Sequence, residues 1–135
     1  MFKTNKKLGY ALIALKHMFQ KRQGELTTAK EIAEQYTMPF DAISRVLQTM
    51  ANKGLLKSEQ GIRGGYLIQK DLSLVSFLDL IEMITGSANV THCMSHDEAD
   101  CKLAKTCNIA SPIYWLNNQL KIFYGGITLK QLMET

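Results

Sequence analysis

The chain is short of the features that define several protein classes. It has three cysteines in 135 residues, too few and odd in number for a disulfide framework. No stretch approaches the roughly 20 apolar residues that a membrane span requires. Lys3, Lys6 and Lys7 precede an apolar run as in a signal peptide, but Leu8–Phe19 carries Lys16 and His17 and no small-residue cleavage pattern follows. An amphipathic helix is therefore the better reading, and a cytoplasmic protein is expected. The sequence has no Cys-x-x-Cys knuckle, no P-loop lysine followed by serine or threonine, and no internal repeat. Asp71 and Glu82 suggest no paired-carboxylate chemistry, and no serine–histidine–aspartate or catalytic cysteine arrangement is discernible. An enzyme is not expected.

What is present is an ordinary globular composition, 46% apolar, enough for one core. The net charge is +4 and unevenly spread. The first 70 positions hold twelve basic and five acidic residues, about +7, and the remainder is about −3. Such asymmetry suits a polyanion-binding half joined to a separate sensing half, although a merely solvated basic surface would look the same.

Periodicity supplies the elements. Leu8, Ala11, Leu12, Leu15 and Phe19 mark an amphipathic helix from about Asn5 to Arg22, stopped by Gly24. Thr27 or Thr28 caps a short helix containing Ile32 and Ala33, and Thr28 precedes Glu31 by three residues as in a capping box. After the turn Tyr36-Thr37-Met38, Pro39 suits the first turn of a second helix, which faces Phe40, Ile43, Val46, Leu47 and Met50 inward and ends near Gly54. Two such helices form a helix-turn-helix, with Asp41, Ala42, Ser44, Arg45 and Gln48 left outward where recognition helices meet base edges. Strands over Leu55–Ser58 and Tyr66–Gln69 enclose a glycine-rich tip, Glu59 to Gly65, and a hairpin in this place is the wing of a winged helix. Glycines there let backbone approach a duplex, and Arg63 is placed to meet a phosphate or the minor groove. Beyond it, Ser73 is expected to cap a helix over Leu74–Ile84 that ends at Gly86, and Ser111-Pro112 to open a long helix with Ile113, Trp115, Leu116, Leu120 and Phe123. The stripe Ile113, Leu116, Leu120 and Phe123 is surplus to a winged-helix core and suits contact with a second copy of the chain. Tyr114 and Trp115 are expected as core or dimer contacts, and His17 as an ordinary surface or packing residue. Gly125-Gly126 breaks the helix, and a packing tail runs from Ile127 to Met133. The fold expected is mainly α with a small β-hairpin: a winged helix-turn-helix region over 1–72, then a dimerisation helix and a cysteine-rich loop over 73–135, packed as one domain with the first.

Cys93, Cys101 and Cys107 fall within fifteen residues, between Ser87 and Ile109. A connection of this length is itself a functional signal. Intervals of eight and six residues are too wide for a zinc knuckle and fit thiolates wrapping a larger object, an iron–sulfur cluster with a non-cysteine fourth ligand. Zinc, a thiol redox switch and inert cysteines are the alternatives. His92 is a ligand candidate by adjacency, and His96, Asp97, Glu98 and Asp100 lie between the first two cysteines.

These motifs together resemble the winged-helix iron–sulfur transcription regulators typified by IscR, NsrR and CymR. The resemblance covers nearly the whole chain: Lys3-Thr4-Asn5-Lys6 with Tyr10-Ala11-Leu12, Lys53-Gly54-Leu55, the wing Gly61-Ile62-Arg63-Gly64-Gly65-Tyr66-Leu67 with Lys70, the cysteine triad, and Ile127-Thr128-Leu129 with Leu132. It implies a homodimeric repressor-type regulator that binds a double-stranded DNA operator and senses cluster status, redox state or nitric oxide, with no membrane partner and with cluster-assembly proteins as further partners; the alternative is a zinc- or thiol-based redox-responsive repressor or a cluster-free metabolic regulator. DNA contacts are then expected from Thr28, Pro39, Asp41, Ser44, Arg45, Gln48, Gln60 and Arg63. A 2Fe–2S or 4Fe–4S cluster is expected on Cys93, Cys101 and Cys107, with zinc or no metal as the alternative. The chain departs from the pattern at Gln60, where relatives often carry arginine, and at Ala110, where relatives resembling IscR place a histidine ligand. Lys7-Leu8-Gly9 stands where relatives resembling NsrR supply an acidic ligand from the partner's first helix. The fourth donor is thus expected from His96, Asp97, Glu98 or Asp100, or from a small external molecule.

Overall fold

In the computed structural model, residues 5–91, 101–103 and 105–135 are described. Helix α1, Lys6–Phe19, starts where the Asn5 side chain accepts a hydrogen bond from the Leu8 amide. Its buried Ala11, Ala14, Leu15 and Met18 recur at three and four residues, one stripe of the helix. The helix stops at Phe19, short of the expected Arg22, because Lys21 turns away: its amide bonds the Met18 carbonyl and its ammonium the Leu26 carbonyl.

Helices α2, Ala29–Tyr36, and α3, Phe40–Asn52, form the helix-turn-helix. Thr28 is the α2 cap, its hydroxyl accepting from the Glu31 amide at 3.1 Å. The reciprocal half of the expected capping box is absent, because the Glu31 carboxylate is taken by His17 and Lys21 instead. Thr37 closes α2 in the left-handed region, φ 52°. Pro39 stands just before α3 as its cap residue, not inside the first turn. Ile43, Val46, Leu47 and Met50 are buried as expected. Phe40 is not: it is 54% exposed. As the first residue of α3 it leans toward the helix start, past the end of the core.

Gly54, with φ of 84°, reverses the chain, and Leu55 donates to the Met50 carbonyl, closing the helix before a strand begins. Strands β1, Leu56–Glu59, and β2, Gly65–Ile68, are antiparallel, with Leu56 opposite Ile68 and Glu59 opposite Gly65. The first begins one residue later than expected and the second one earlier, since Leu55 is spent on the helix end. Thr27 pairs with Tyr66 through two backbone bonds of 3.1 and 2.8 Å, so the segment before α2 ties the hairpin to the helix-turn-helix.

The expected Ser73 cap is overturned. The Asp71 carboxylate accepts from both the amide and the hydroxyl of Ser73, closing a 3-10 turn over Leu72–Leu74 and leaving Leu74 83% exposed. Helix α4, Phe77–Thr85, begins at Ser76, whose hydroxyl and amide exchange hydrogen bonds with Asp79. That reciprocal box satisfies two orphan donors at once, which Ser73 does not offer. Helix α6, Leu129–Glu134, carries a second box, Thr128 with Gln131, and the two starts are joined by Phe77 donating to the Ile127 carbonyl and Leu129 to that of Val75. Leu129 and Met133 then complete a core with Leu15, Ile32, Leu47, Leu56 and Leu80, each large side chain stabilising the fold by about 1.5–3 kcal/mol. The Lys16 ammonium hydrogen-bonds the Met133 carbonyl and fixes the tail. The long helix α5, Ala110–Gly125, rests on α4, with the rings of Phe77 and Tyr124 edge to face at 5.5 Å.

Candidate nucleic-acid interface and cysteine segment

Because α3 turns its apolar face into the core, Asp41, Arg45 and Gln48 are left in solvent, and Ser44 is half-buried beside them. Thr28 and Pro39, at the starts of the two helices, are exposed, as are Gln60 and Arg63 on the hairpin. The tip is a closed turn: Gly64 donates to the Gly61 carbonyl at 2.9 Å, setting Ile62 and Arg63 at its corners. Two of its glycines are required by the chain itself. A Cβ on Gly64 would lie 2.3 Å from the Glu59 carbonyl oxygen, and one on Gly65, whose φ is 154°, 2.8 Å from that of Thr27.

Helix α2 is held to α1 and the turn after it by a polar cluster. His17, buried rather than superficial, is 2.8 Å from the Tyr36 hydroxyl through Nδ1 and 2.6 Å from Glu31 Oε2 through Nε2. Lys21 Nζ reaches the same Glu31 oxygen at 2.5 Å. Partial desolvation works to raise the Glu31 carboxyl, but the hydrogen bonds and charges of Lys21 and His17 prevail and hold it below its ordinary value.

In the cysteine segment, Cys101 is half-buried and Cys107 exposed, both as free thiols, with a turn between them in which the Thr106 amide donates to the Leu103 carbonyl. Two free thiols flanking this turn suit a soft metal or a cluster as donors. Cys93, His92, His96, Asp97, Glu98 and Asp100 lie outside the described residues. Among the described residues no three histidine, cysteine, aspartate or glutamate side chains converge on a point. The start of the segment is anchored to α5: Asn117 accepts from the Val90 amide through Oδ1 at 2.9 Å and donates to Asn89 Oδ1 through Nδ2 at 3.2 Å. Of the sixteen residues of α5, all described, Asn117 alone is buried. The apolar stripe is largely uncovered, with Ile113 and Leu120 half-buried and Leu116 and Phe123 exposed. Tyr114 and Trp115 are exposed as well and take no place in the core.

Compared with known proteins, residues 4–135 match the model of the Rrf2 family, described as iron-dependent transcriptional regulators. The chain belongs to the Rrf2 family. It is 26% identical over 126 residues to an HTH-type transcriptional regulator of Aquifex aeolicus, spanning 93% of this chain and 87% of that one. With the regulator IscR of Escherichia coli it shares 23% identity over 93% of this chain and 76% of the relative. The structure of CymR, the global cysteine regulator of B. subtilis, superposes with a TM-score of 0.74 at 22% identity, covering 99% and 98% of the two chains. This Rrf2 chain is accordingly a DNA-binding transcription regulator with a winged-helix fold, and not an enzyme. No helix among its described residues is long and apolar enough to cross a membrane.

Sequence reasoning took His17 of this Rrf2 chain for an ordinary surface or packing residue, named Ile62 only as part of the wing, and passed over Asn117. His17 meets partners fourteen and nineteen positions away, and Asn117 meets residues 27 and 28 positions away, so no local spacing reveals either. Ile62 did carry a signal: a β-branched apolar residue stands in the middle of a turn sequence.

Proposed function

We propose that two copies of this Rrf2 chain read a pseudo-palindromic operator, and that Cys93, Cys101 and Cys107 hold an iron–sulfur cluster, 2Fe–2S or 4Fe–4S, whose state sets operator affinity. The observation that carries the reading is where the described ends of the cysteine segment lie: Asn89 and Val90 are bonded to the middle of α5 through Asn117, and Cys101 and Cys107, both free thiols, shortly precede the start of that helix. The uncovered stripe of Ile113, Leu116, Leu120 and Phe123 then joins two copies, and residues 1–72 read DNA while 73–135 sense and dimerise. Arg45 and Gln48 meet base edges, with Asp41 and Ser44 beside them. Thr28 and Pro39, at the helix starts, approach the phosphate backbone, and Gln60 and Arg63 bring the wing to the flanking groove. The fourth donor comes from His96, Asp97, Glu98 or Asp100. When bound, the cluster supplies an iron centre that responds to supply or oxidation. The chain's own part is to hold the thiols on a segment whose position relative to α5 differs between two head spacings, the difference that coupling requires.

The test measures iron and acid-labile sulfide per subunit, the visible spectrum and operator binding on one anaerobic sample. Brown protein that loses iron and sulfide on alanine substitution of any of the three cysteines, while keeping its helical fold, supports the reading. Colourless protein, with zinc or with no metal, overturns it. Arg45→Ala or Gln48→Ala costs roughly 1–3 kcal/mol of operator binding where the side chain meets a base.

A further inference from the structure

The outermost residue of the wing is apolar. Ile62 is 108% exposed relative to an extended reference, so its side chain stands clear of the rest of the described chain. Its position is nevertheless well defined. The Gly61–Gly64 bond closes the turn, Gly64 and Gly65 pack where no Cβ fits, and the Thr27–Tyr66 pair fastens the hairpin to the helix-turn-helix. Corners of turns are ordinarily occupied by Gly, Pro, Asn, Asp or Ser, for reasons of backbone preference and local hydrogen bonding. Isoleucine at such a corner contributes nothing to the turn and nothing to the core. Residues that break a local rule without a structural return are found where a ligand is met.

Arg63, at the adjacent corner, is also exposed. A basic residue beside an apolar one on a narrow projection is the equipment of proteins that enter the minor groove, where the cation is drawn to the groove's negative potential and the apolar side chain lodges against a base step. β-Branching suits Ile62 to this, because its stiff χ1 leaves little rotamer freedom to lose. We infer that Ile62 is a minor-groove wedge, inserted beside Arg63 at the edge of each half-site, and that it makes the protein prefer a flexible pyrimidine–purine step, TA or CA/TG, at that point. The inference rests on the reading of the wing as a DNA contact and adds to it a specificity that no α3 residue supplies.

The experiment selects duplexes from a randomised library with the full-length protein and with Ile62→Ser, Ile62→Leu and Arg63→Ala. The wild type is expected to enrich a pyrimidine–purine step at a fixed distance outside the sequence read by α3. Ile62→Ser keeps that inner sequence, loses the flanking step, and binds the wild-type-selected duplex roughly tenfold more weakly, the size of one lost base-pair contact. Its salt dependence is unchanged, and energy transfer between end labels reports a smaller bend. Ile62→Leu restores the preference. Arg63→Ala instead makes the salt dependence shallower. Selection of the same flanks by Ile62→Ser, whether its affinity is wild-type or uniformly reduced, overturns the wedge. If Arg63→Ala is silent as well, the wing fails as a DNA contact and the wedge falls with it.

Discussion

Helices α3 and α5 are similar in length, 13 and 16 residues, and both carry apolar residues along one stripe, yet α3 buries four of them and α5 buries none. The buried residue of α5 is Asn117, at 3% exposure. The difference lies in their neighbours. Helix α3 is packed by α1, α2, α4 and β1, whereas α5 leans chiefly on α4. An apolar stripe therefore states a demand for cover, and the tertiary structure decides whether the same chain meets it. Around α3 the demand is met internally, by α1, α2, α4 and β1. In α5 it is left open, which is the ground for proposing a second copy there.

The largest expected effect tests this contrast directly. Leu47→Ala in α3 should cost about 2–5 kcal/mol of unfolding free energy, and by the same amount at every protein concentration. Leu116→Glu in α5 should change the stability of a single chain by less than about 1 kcal/mol, as surface substitutions do, and act by shifting sedimentation from dimer to monomer with loss of tight operator binding. Equal losses in both variants, with sedimentation unchanged, would erase the distinction between the helices.

Asn117 sharpens it. Asn117→Ala removes both side-chain hydrogen bonds to the Asn89–Val90 stem and takes from the half-buried Val90 amide its acceptor on α5, at a cost of about 1–3 kcal/mol, more than any other polar residue on α5 should show. Hydrogen exchange at the Val90 amide would report the release; protection equal to that of the wild type would show that the stem is held by other means.

The smallest effect concerns the polar cluster at α2. The folded Glu31 carboxyl lies below its ordinary value near 4.5, so the unfolded chain takes up this proton at higher pH than the folded one. Its contribution is complete above about pH 4.5 and is lost as the pH falls through the lowered folded value. The carboxylate is 38% exposed, and solvent screening keeps the contribution to about 0.5–1 kcal/mol. Glu31→Gln should flatten acid unfolding over that range, as followed by circular dichroism at stepped pH; a wild-type acid profile in the variant would remove Glu31 from the account. This cluster lies in the internally completed region, where burial of Ile43, Val46, Leu47 and Met50 is expected to outweigh it.

Much of the fold was legible because the signals are local. The four-residue spacing of Ala11 and Leu15, the Thr28 hydroxyl at the head of α2, the apolar face of α3 and the glycines of the wing all act within a few residues of themselves, whereas Phe19, expected on the same α1 stripe, is 37% exposed and Met18 takes the buried place. The Ser73 start of α4 was misread because two serines three positions apart each precede apolar residues, and only the distant pairing of Val75 and Phe77 with the α6 start selects Ser76. Phe40 was assigned inward by period alone, which does not register where the core ends. The candidate DNA face followed from α3, while the arrangement of Cys101 and Cys107 before α5 could not be read from intervals.

The sequence by itself determined α1, the helix-turn-helix, the hairpin, the existence of α4 and α5 and the thiols available for chemistry, because propensity, capping and periodicity are written in neighbouring residues; the start of α4 and the helical form of the tail were not among them. Tertiary structure alone decided the rest: that Glu31 answers His17 and Lys21 in place of its own cap, that Lys16 secures a tail 117 residues away, that Asn117 and not an apolar residue is the buried point of α5, and that Ile62 projects with nothing around it. Each of these depends on which groups meet across long stretches of chain, and desolvation and hydrogen-bond satisfaction are settled only after the chain has brought them together.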